Sequence, residues 1–89
     1  QLRRAIEGQR KLRFLYTRAD GESQFRTVWP LGLFFWGQSW TLGAWCELRG
    51  EYRCFRPDRM AQLILTEEAF DGRGGEMLED YIRAASGRE

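Results

Sequence analysis

The stretch from residue 27 to residue 60 constrains the fold of this chain more than any other part of it. Between Thr27 and Cys46 no side chain is charged, and tryptophan and other apolar residues dominate. Arginine then recurs at intervals of three or four residues, at Arg49, Arg53, Arg56 and Arg59. An uncharged, aromatic sheet that leads directly into a series of arginines predicts a small β-domain with one anion-facing edge.

The length and composition predict one domain with a small core. The chain has 89 residues, of which 43% are hydrophobic, and this fraction is too high for a disordered segment. The net charge is only +1, so the total charge does not identify a partner. The charge is unevenly placed, because residues 1–26 carry seven basic and three acidic side chains, whereas residues 67–80 carry one basic and six acidic. This asymmetry predicts a positive and a negative region, although an ordinary solvated surface is equally open.

Several classes of protein are disfavoured by what the sequence lacks. It contains no histidine, the commonest general base and metal ligand, and no recognisable catalytic motif, so we expect neither an enzyme nor a cofactor. Cys46 and Cys54 alone cannot form a four-ligand zinc site. A disulfide between them across a hairpin is the alternative, but we expect free thiols in a cytoplasmic protein. The apolar run Val28–Trp36 is too short to span a membrane and is interrupted by Pro30 and Gly32.

Turn signals divide the chain into five strands. Residues 11–17 alternate between two faces, and Asp20-Gly21, Gly37-Gln38 and Arg49-Gly50 mark three turns. The predicted strands are residues 11–17, 23–36 with a bend at Pro30, 40–47, 51–56 and 60–66. Helical spacing predicts helices over residues 1–8 and 76–85, with a further helical turn over 67–70.

These elements predict a mainly β fold, a small five-stranded SH3-like or Sm-like barrel with an N-terminal and a C-terminal helix. Closure would remove the exposed edges that five short strands otherwise present. We expect residues 1–70 to form the barrel domain and residues 71–89 to form a glycine-rich linker and the C-terminal helix. That helix has no evident packing partner in the sequence, which favours the start of a further region.

The arginine series suits an anionic ligand. A guanidinium group binds phosphate through two parallel hydrogen bonds, and tryptophan offers a surface on which bases stack. Simpler interpretations remain for each residue. Arg59 follows Asp58 and could form a structural ion pair, Arg49 could be a solvated turn residue, and the tryptophans could belong to the core.

Three segments resemble the WYL domain family of bacterial regulators: Arg26-Thr-Val-Trp-Pro30, Trp40-Thr41-Leu42, and Tyr52-Arg-Cys-Phe-Arg-Pro-Asp-Arg-Met60. One departure is Thr41, which replaces the tyrosine of the name-giving triplet. The resemblance implies an Sm-like barrel that serves as a sensor region beside a helix-turn-helix DNA-binding domain. It also implies a nucleotide-like or single-stranded nucleic-acid effector.

Our hypothesis from the sequence is a non-enzymatic, ligand-sensing domain of a bacterial transcriptional regulator. DNA would be contacted through a separate helix-turn-helix domain outside this chain, and a homodimer is left open. A structural oligomerisation barrel and a direct Sm-type RNA-binding module are the alternatives. The expected ligand contacts are Arg26, Trp40, Thr41, Arg49, Arg53, Arg56 and Arg59.

Overall fold

The computed structural model describes residues 1–86, which form one five-stranded antiparallel sheet and two helices. Short 3₁₀ turns at Pro57–Arg59 and Arg73–Gly75 precede the last strand and the last helix. The elements are α1 (Leu2–Gly8), β1 (Arg10–Thr17), β2 (Ser23–Trp36), β3 (Ser39–Cys46), β4 (Glu51–Phe55), β5 (Met60–Ala69) and α2 (Glu76–Ser86). The mainly β fold with a helix at each end is therefore confirmed.

The main core lies on one face of the sheet, called here the inner face. Because side chains alternate along a strand, every second residue of β1 and β3 points to this face. Helix α1 contributes the fully buried Ala5 to the same cluster. The buried members are Ala5, Leu12, Phe14, Val28, Leu42, Ala44, Cys46 and Phe55.

A second apolar cluster lies on the opposite, outer face and is covered by α2. Met77 and Tyr81 of the helix are buried there together with Leu31 and Phe70. Gly43 of β3 makes this packing close, since a Cβ atom at that position would lie 2.6 Å from the ring of Tyr81. The expectation that the C-terminal helix lacks a packing partner is therefore wrong. The sequence does not reveal this partner, because it is the outer face of the same sheet, which is formed by residues distant from the helix in the chain.

Strand β2 is one 14-residue strand with a bulge where the sequence predicts a bend. Pro30 pairs with Ala44 and Gly32 pairs with Gly43, so Leu31 is an extra residue in the ladder with β3. Proline is tolerated here because the pairing of β2 with β1 ends at Val28, two residues earlier. The bulge allows the first half of β2 to pair with β1 and the second half with β3.

A closed barrel is not confirmed. The strand order is β4-β3-β2-β1-β5, and within residues 1–86 the ladders leave β4 and β5 at the two ends of the sheet. The two end strands are joined by the Pro57–Arg59 turn. Pro57 has no backbone N–H to donate to a ladder, and the turn redirects the chain before β5 begins.

The predicted helical turn over residues 67–70 is wrong, because β5 continues as a strand to Ala69. Arg10 of β1 pairs with Ala69, and the Thr66 hydroxyl donates to the carbonyl of Lys11 at 2.8 Å. Pairing with β1 thus extends the strand beyond the residues that alternate in the sequence. Tertiary pairing here overrides the local helical preference of the two glutamates.

The two cysteines are free and lie on opposite faces of the sheet. Cys46 is buried in the main core, whereas Cys54 is exposed and pairs with Gly43 on the neighbouring strand. Cys46 itself pairs with Glu51. Because the two side chains point to opposite faces of the sheet, a disulfide between them would require one strand to rotate about its own axis.

Candidate ligand-binding clefts

Five arginines line one open cleft of about 220 Å³. We call it the arginine cleft. It lies between edge strand β4, the β1–β2 hairpin and the Pro57–Arg59 turn. Its floor and walls also include Tyr16, Ala19, Cys54 and Phe55. The arginines are Arg18, Arg26, Arg49, Arg53 and Arg59.

The strand registers explain why Arg26 and Arg53 meet. Arg26 lies opposite Phe14 across the β1–β2 ladder, and Arg53 lies opposite Ala44 across the β3–β4 ladder. Residues that are directly opposite in an antiparallel ladder share a face, and both Phe14 and Ala44 belong to the main core. The two arginines therefore lie on the same, inner face of the sheet.

The other three arginines reach the cleft from turns. Arg18 follows the end of β1, where its backbone N–H and carbonyl bond to Glu22 and Gly21. Arg49 belongs to the β3–β4 turn, and Arg59 ends the 3₁₀ turn before β5. Turn residues tolerate exposed charge, so the cleft has a buried arginine at its floor and more exposed arginines at its rim.

Only two of these five guanidinium groups have a carboxylate partner within residues 1–86. Arg53 Nη1 lies 2.8 Å from Glu51 Oε2, and Arg18 Nη2 lies 3.4 Å from Asp20 Oδ2. Arg26, Arg49 and Arg59 form no salt bridge in that part of the chain. The cleft therefore carries an excess of positive charge. The two ion pairs at its rim are exposed and contribute little stability, so a ligand could displace them at little cost.

Arg26 has the most unusual environment of the five. Its side chain is 3% exposed, and its Nε is buried without a hydrogen-bond partner. Its Nη1 donates to the Cys46 sulfur at 3.6 Å, and its guanidinium carbon lies 6.0 Å from the centre of the Phe55 ring. Sulfur is a weak acceptor and a ring is a weak counter-charge, so the buried cation is poorly compensated. A buried charge without a partner is costly, and an anion entering the cleft would offset that cost.

A second cleft, of about 290 Å³, lies beside the tip of the β2–β3 hairpin. We call it the aromatic cleft. Trp40, Gln38 and Ser39 form one wall, and Arg56, Pro57 and Asp58 form the other. Arg56 is held by Asp58 through two hydrogen bonds, with Nε 3.2 Å from Oδ1 and Nη2 2.9 Å from Oδ2.

The structure thus divides the seven residues that the sequence suggested. Four of them line the arginine cleft, while Trp40 and Arg56 line the aromatic cleft. Thr41 lines neither cleft, and its hydroxyl donates to the Phe34 carbonyl at 3.4 Å. The four in the arginine cleft are Arg26, Arg49, Arg53 and Arg59.

Sequence reasoning missed Arg18 and Tyr16. Arg18 precedes the predicted Asp20-Gly21 turn, so the sequence predicts its position near a hairpin tip. The approach of that tip to β4 depends on the curvature of the sheet, which the sequence does not show. Tyr16 was assigned only as an alternating strand residue. Its hydroxyl accepts a hydrogen bond from the Arg56 backbone N–H at 3.0 Å, and this bond fixes the end of β4 against β1.

Neither helix in the described part of the chain is long and apolar enough to cross a membrane. No group of three or more Cys, Asp or Glu side chains within residues 1–86 is arranged to hold a metal ion.

Comparison with known proteins identifies the family. The family model described as WYL domain matches residues 1–65. The chain belongs to the WYL domain family. Helix α2, which starts at Glu76, therefore lies outside the matched region of this WYL domain.

The relatives of this WYL domain are bacterial regulators. It is 33% identical over 66 residues to the HTH-type transcriptional regulator YobV of Bacillus subtilis, covering 74% of this chain and 21% of that protein. It is 36% identical over 63 residues to the DNA-binding transcriptional repressor CapW of Escherichia coli, covering 70% of this chain and 21% of CapW. This chain therefore spans about a fifth of the length of these curated relatives.

A solved structure shares the fold. The proteasome accessory factor B/C (PafBC) of Arthrobacter aurescens superposes with a TM-score of 0.73 at 32% sequence identity. The match covers 80% of this chain and 11% of the PafBC chain.

Proposed function

We propose that this WYL domain is the ligand-sensing part of a transcriptional regulator and that it binds a nucleotide-like or single-stranded nucleic-acid effector in the arginine cleft. The observation that carries the proposal is the convergence of five arginines, three of which have no carboxylate partner within residues 1–86. A phosphate group would accept hydrogen bonds from the Arg26 guanidinium and neutralise part of the positive charge of the arginines at the rim. The domain acts by binding and has no catalytic role in this proposal.

The relatives support the regulatory part of the proposal. YobV is named an HTH-type transcriptional regulator and CapW a DNA-binding transcriptional repressor. By analogy, the protein that contains this domain would contact DNA through a separate helix-turn-helix domain. Effector binding in the arginine cleft would then alter how that domain engages its operator, and a homodimer would present two such clefts.

The fold supports a finer point of the proposal, its Sm-like character. The sheet bends at the Pro30 bulge, and its end strands are connected by a single 3₁₀ turn. We propose that this bent sheet is an opened form of the Sm-like barrel, whose unpaired edges are β4 and β5, with the arginine cleft beside edge strand β4. Because β4 pairs only with β3 within residues 1–86, a phosphate would have access to the cleft along this open edge.

Binding measurements on alanine variants test the proposal. The probe is a short, fluorescently labelled oligothymidylate, with inorganic phosphate and a mononucleotide as competitors. Arg49→Ala and Arg59→Ala should each weaken binding by about tenfold or more, because each removes a charged hydrogen-bond donor. Arg→Lys at the same positions should restore only part of the affinity, since lysine keeps the positive charge but cannot form the bidentate hydrogen bonds of a guanidinium group. Arg4→Ala, an exposed change on α1, is the matched control.

The same titrations separate the proposal from its alternatives. If none of the probes binds the parent, or if Arg49→Ala and Arg59→Ala bind as tightly as Arg4→Ala, the effector-site proposal is wrong. An oligomerisation barrel would instead show a change in molecular mass by light scattering with these variants. A direct RNA-binding module would prefer long RNA to the short strand.

A further inference from the structure

The Pro57–Arg59 turn is a wall shared by the two clefts. Arg59, its last residue, lines the arginine cleft, whereas Pro57 and Asp58 line the aromatic cleft. Arg56 enters the turn and is fixed from the arginine-cleft side, because its N–H donates to the hydroxyl of Tyr16. The two clefts are therefore adjacent, and their spacing is set by one short, hydrogen-bonded turn.

The walls of the aromatic cleft combine a flat apolar surface with paired polar groups. Trp40, which lines the cleft, is 53% exposed. The ring of Phe35, which is not part of the lining, lies next to it, with the two ring centres 5.2 Å apart and a tilt of 59°. An indole that is half exposed to solvent offers surface on which another ring can stack. Across the cleft, Arg56 offers N–H donors and Asp58 offers acceptors, held together by their two hydrogen bonds.

This combination is the chemistry that recognises a nucleobase. Every base has a π-face that stacks on an aromatic side chain, and its edges carry both donors and acceptors. A phosphate alone would use none of the aromatic surface. An apolar peptide would leave the Arg56–Asp58 pair unused.

We propose that the aromatic cleft holds a base of the same ligand whose phosphates lie in the arginine cleft, with Trp40 as the stacking surface. This inference rests on the proposed function and deepens it, because it selects a strand of linked nucleotides over a mononucleotide or a simple anion. The backbone of the strand passes the Pro57–Arg59 turn, with phosphates on the Arg59 side and a base on the Trp40 side. Stacking makes the cleft tolerant of base identity, and the Arg56–Asp58 pair gives a secondary preference for bases with both a donor and an acceptor on one edge.

Paired ligands with and without bases test this inference. The 89-residue chain is titrated with a short oligothymidylate and with an abasic oligomer of equal length, which carries the same phosphates. The parent should bind the oligothymidylate about tenfold or more tightly than the abasic strand, as expected for loss of one stacked base. Trp40→Ala should bind both strands with the affinity that the parent shows for the abasic strand.

Two further variants make the result specific to this cleft. Phe25→Ala removes an exposed aromatic side chain elsewhere on the sheet and should leave the preference for bases unchanged. Arg49→Ala should weaken both strands by the same factor, because it removes only a phosphate contact.

Each outcome separates this inference from the proposed function. If the parent binds neither strand, the proposed function itself fails. If it binds both strands equally, or if Trp40→Ala retains the parent's preference for bases, the phosphate site stands and the base site is overturned. Trp40 is half exposed and outside both apolar clusters, so circular dichroism of Trp40→Ala should match the parent and exclude misfolding as the cause.

Discussion

At the scale of single residues, the proposed function gives Arg26 opposite consequences for stability and for binding. It lies at the floor of the arginine cleft, almost fully buried, with its Nε unbonded and a thiol as its only hydrogen-bond partner among the described residues. A fold selected for stability alone would place an apolar side chain of similar size there. Its presence is accounted for if the buried cation is completed by a ligand.

Replacement of Arg26 by an apolar residue should therefore separate the two properties. In Arg26→Met the free energy of unfolding should stay the same or rise by about 1–2 kcal/mol, because a buried, poorly compensated charge is removed. Oligothymidylate binding should fall by about tenfold or more. Urea unfolding and fluorescence titration measure the two effects. A variant that loses more than about 2 kcal/mol of stability while keeping its affinity would show that Arg26 is a structural residue.

Arg56 and Arg18 show what the sequence could and could not predict about the site. Spacing alone grouped Arg56 with the other arginines, but its neighbour Asp58 binds it through two hydrogen bonds on the aromatic-cleft side. Arg18 is distant from that series in sequence and joins it only through the fold. The sequence therefore predicted that arginines from this series would lie together, whereas the exact membership of each cleft depended on local ion pairing and on the bend of the sheet.

Glu47 is part of a charged cluster that stabilises the opposite side of the sheet. Its Oε2 accepts a hydrogen bond from Trp29 Nε1 at 2.8 Å and lies 2.9 Å from Lys11 Nζ. The hydrogen bond from Trp29, followed by that from Lys11, lowers the pKa of the Glu47 carboxyl below its usual value of 4.5. The hydrogen bond to Glu47 in turn raises the pKa of Lys11.

The lowered pKa of Glu47 predicts a pH dependence with a defined sign. The unfolded chain binds a proton on this carboxyl more readily than the folded protein. The contribution to stability is therefore present above about pH 4.5 and is lost as the pH falls through the lower folded pKa. Glu47→Gln keeps an acceptor for Trp29 but removes the titration, so the variant should lose less stability than the parent on acidification from about pH 6 to pH 3.

The effect of Glu47→Gln should be about 1 kcal/mol or less, because the carboxyl is 37% exposed and solvent screens the interaction. Urea midpoints at the two pH values measure it, and Glu7→Gln on the exposed side of α1 is the control. Parallel loss of stability in the parent and in Glu47→Gln would contradict the assignment.

At the scale of the elements, turn chemistry made the strands predictable and tertiary packing decided their extent. The three predicted turns all separate antiparallel strands, because Asp-Gly and similar pairs adopt the backbone angles that hairpins need. The continuation of β5 to Ala69 and the docking of α2 were not predictable in this way. Both depend on partners distant in sequence, β1 in one case and the outer face of β3 in the other.

Gly43 tests the docking of α2 directly. A methyl group at this position would lie 2.6 Å from Cε2 and Cζ of Tyr81, closer than carbon atoms approach. Gly43→Ala should therefore destabilise the protein by about 1–3 kcal/mol through overpacking. Thermal unfolding followed by circular dichroism measures the change.

A double-mutant cycle supplies the control for Gly43. In the background of Tyr81→Ala, which removes the ring, Gly43→Ala should cost much less than it does alone, and the two effects should be non-additive. Equal costs in both backgrounds would mean that α2 does not lie against Gly43 in solution.

At the scale of the whole molecule, the two faces of the bent sheet have different environments. The outer face is covered by α2 and closed by aromatic packing, whereas the inner face holds the main core and opens into the arginine cleft at one end. Edge strand β4 belongs to both environments, since Tyr52 packs against the α2 cluster and the next residue, Arg53, lines the cleft. An element that is paired on only one side and contacts both the cleft and α2 is well placed to report ligand binding to the rest of the protein.

The salt dependence of oligothymidylate binding tests the central claim most directly. Phosphate contacts release counterions, so log K should fall linearly with log salt concentration, with a slope of about −0.7 for each phosphate neutralised on a single strand. With three to five arginines engaged, the parent should give a slope of roughly −2 to −3.5, and Arg49→Ala should give a shallower slope by about 0.7. A slope near zero, or the same slope in the parent and in Arg49→Ala, would contradict the arginine cleft as a phosphate-binding site.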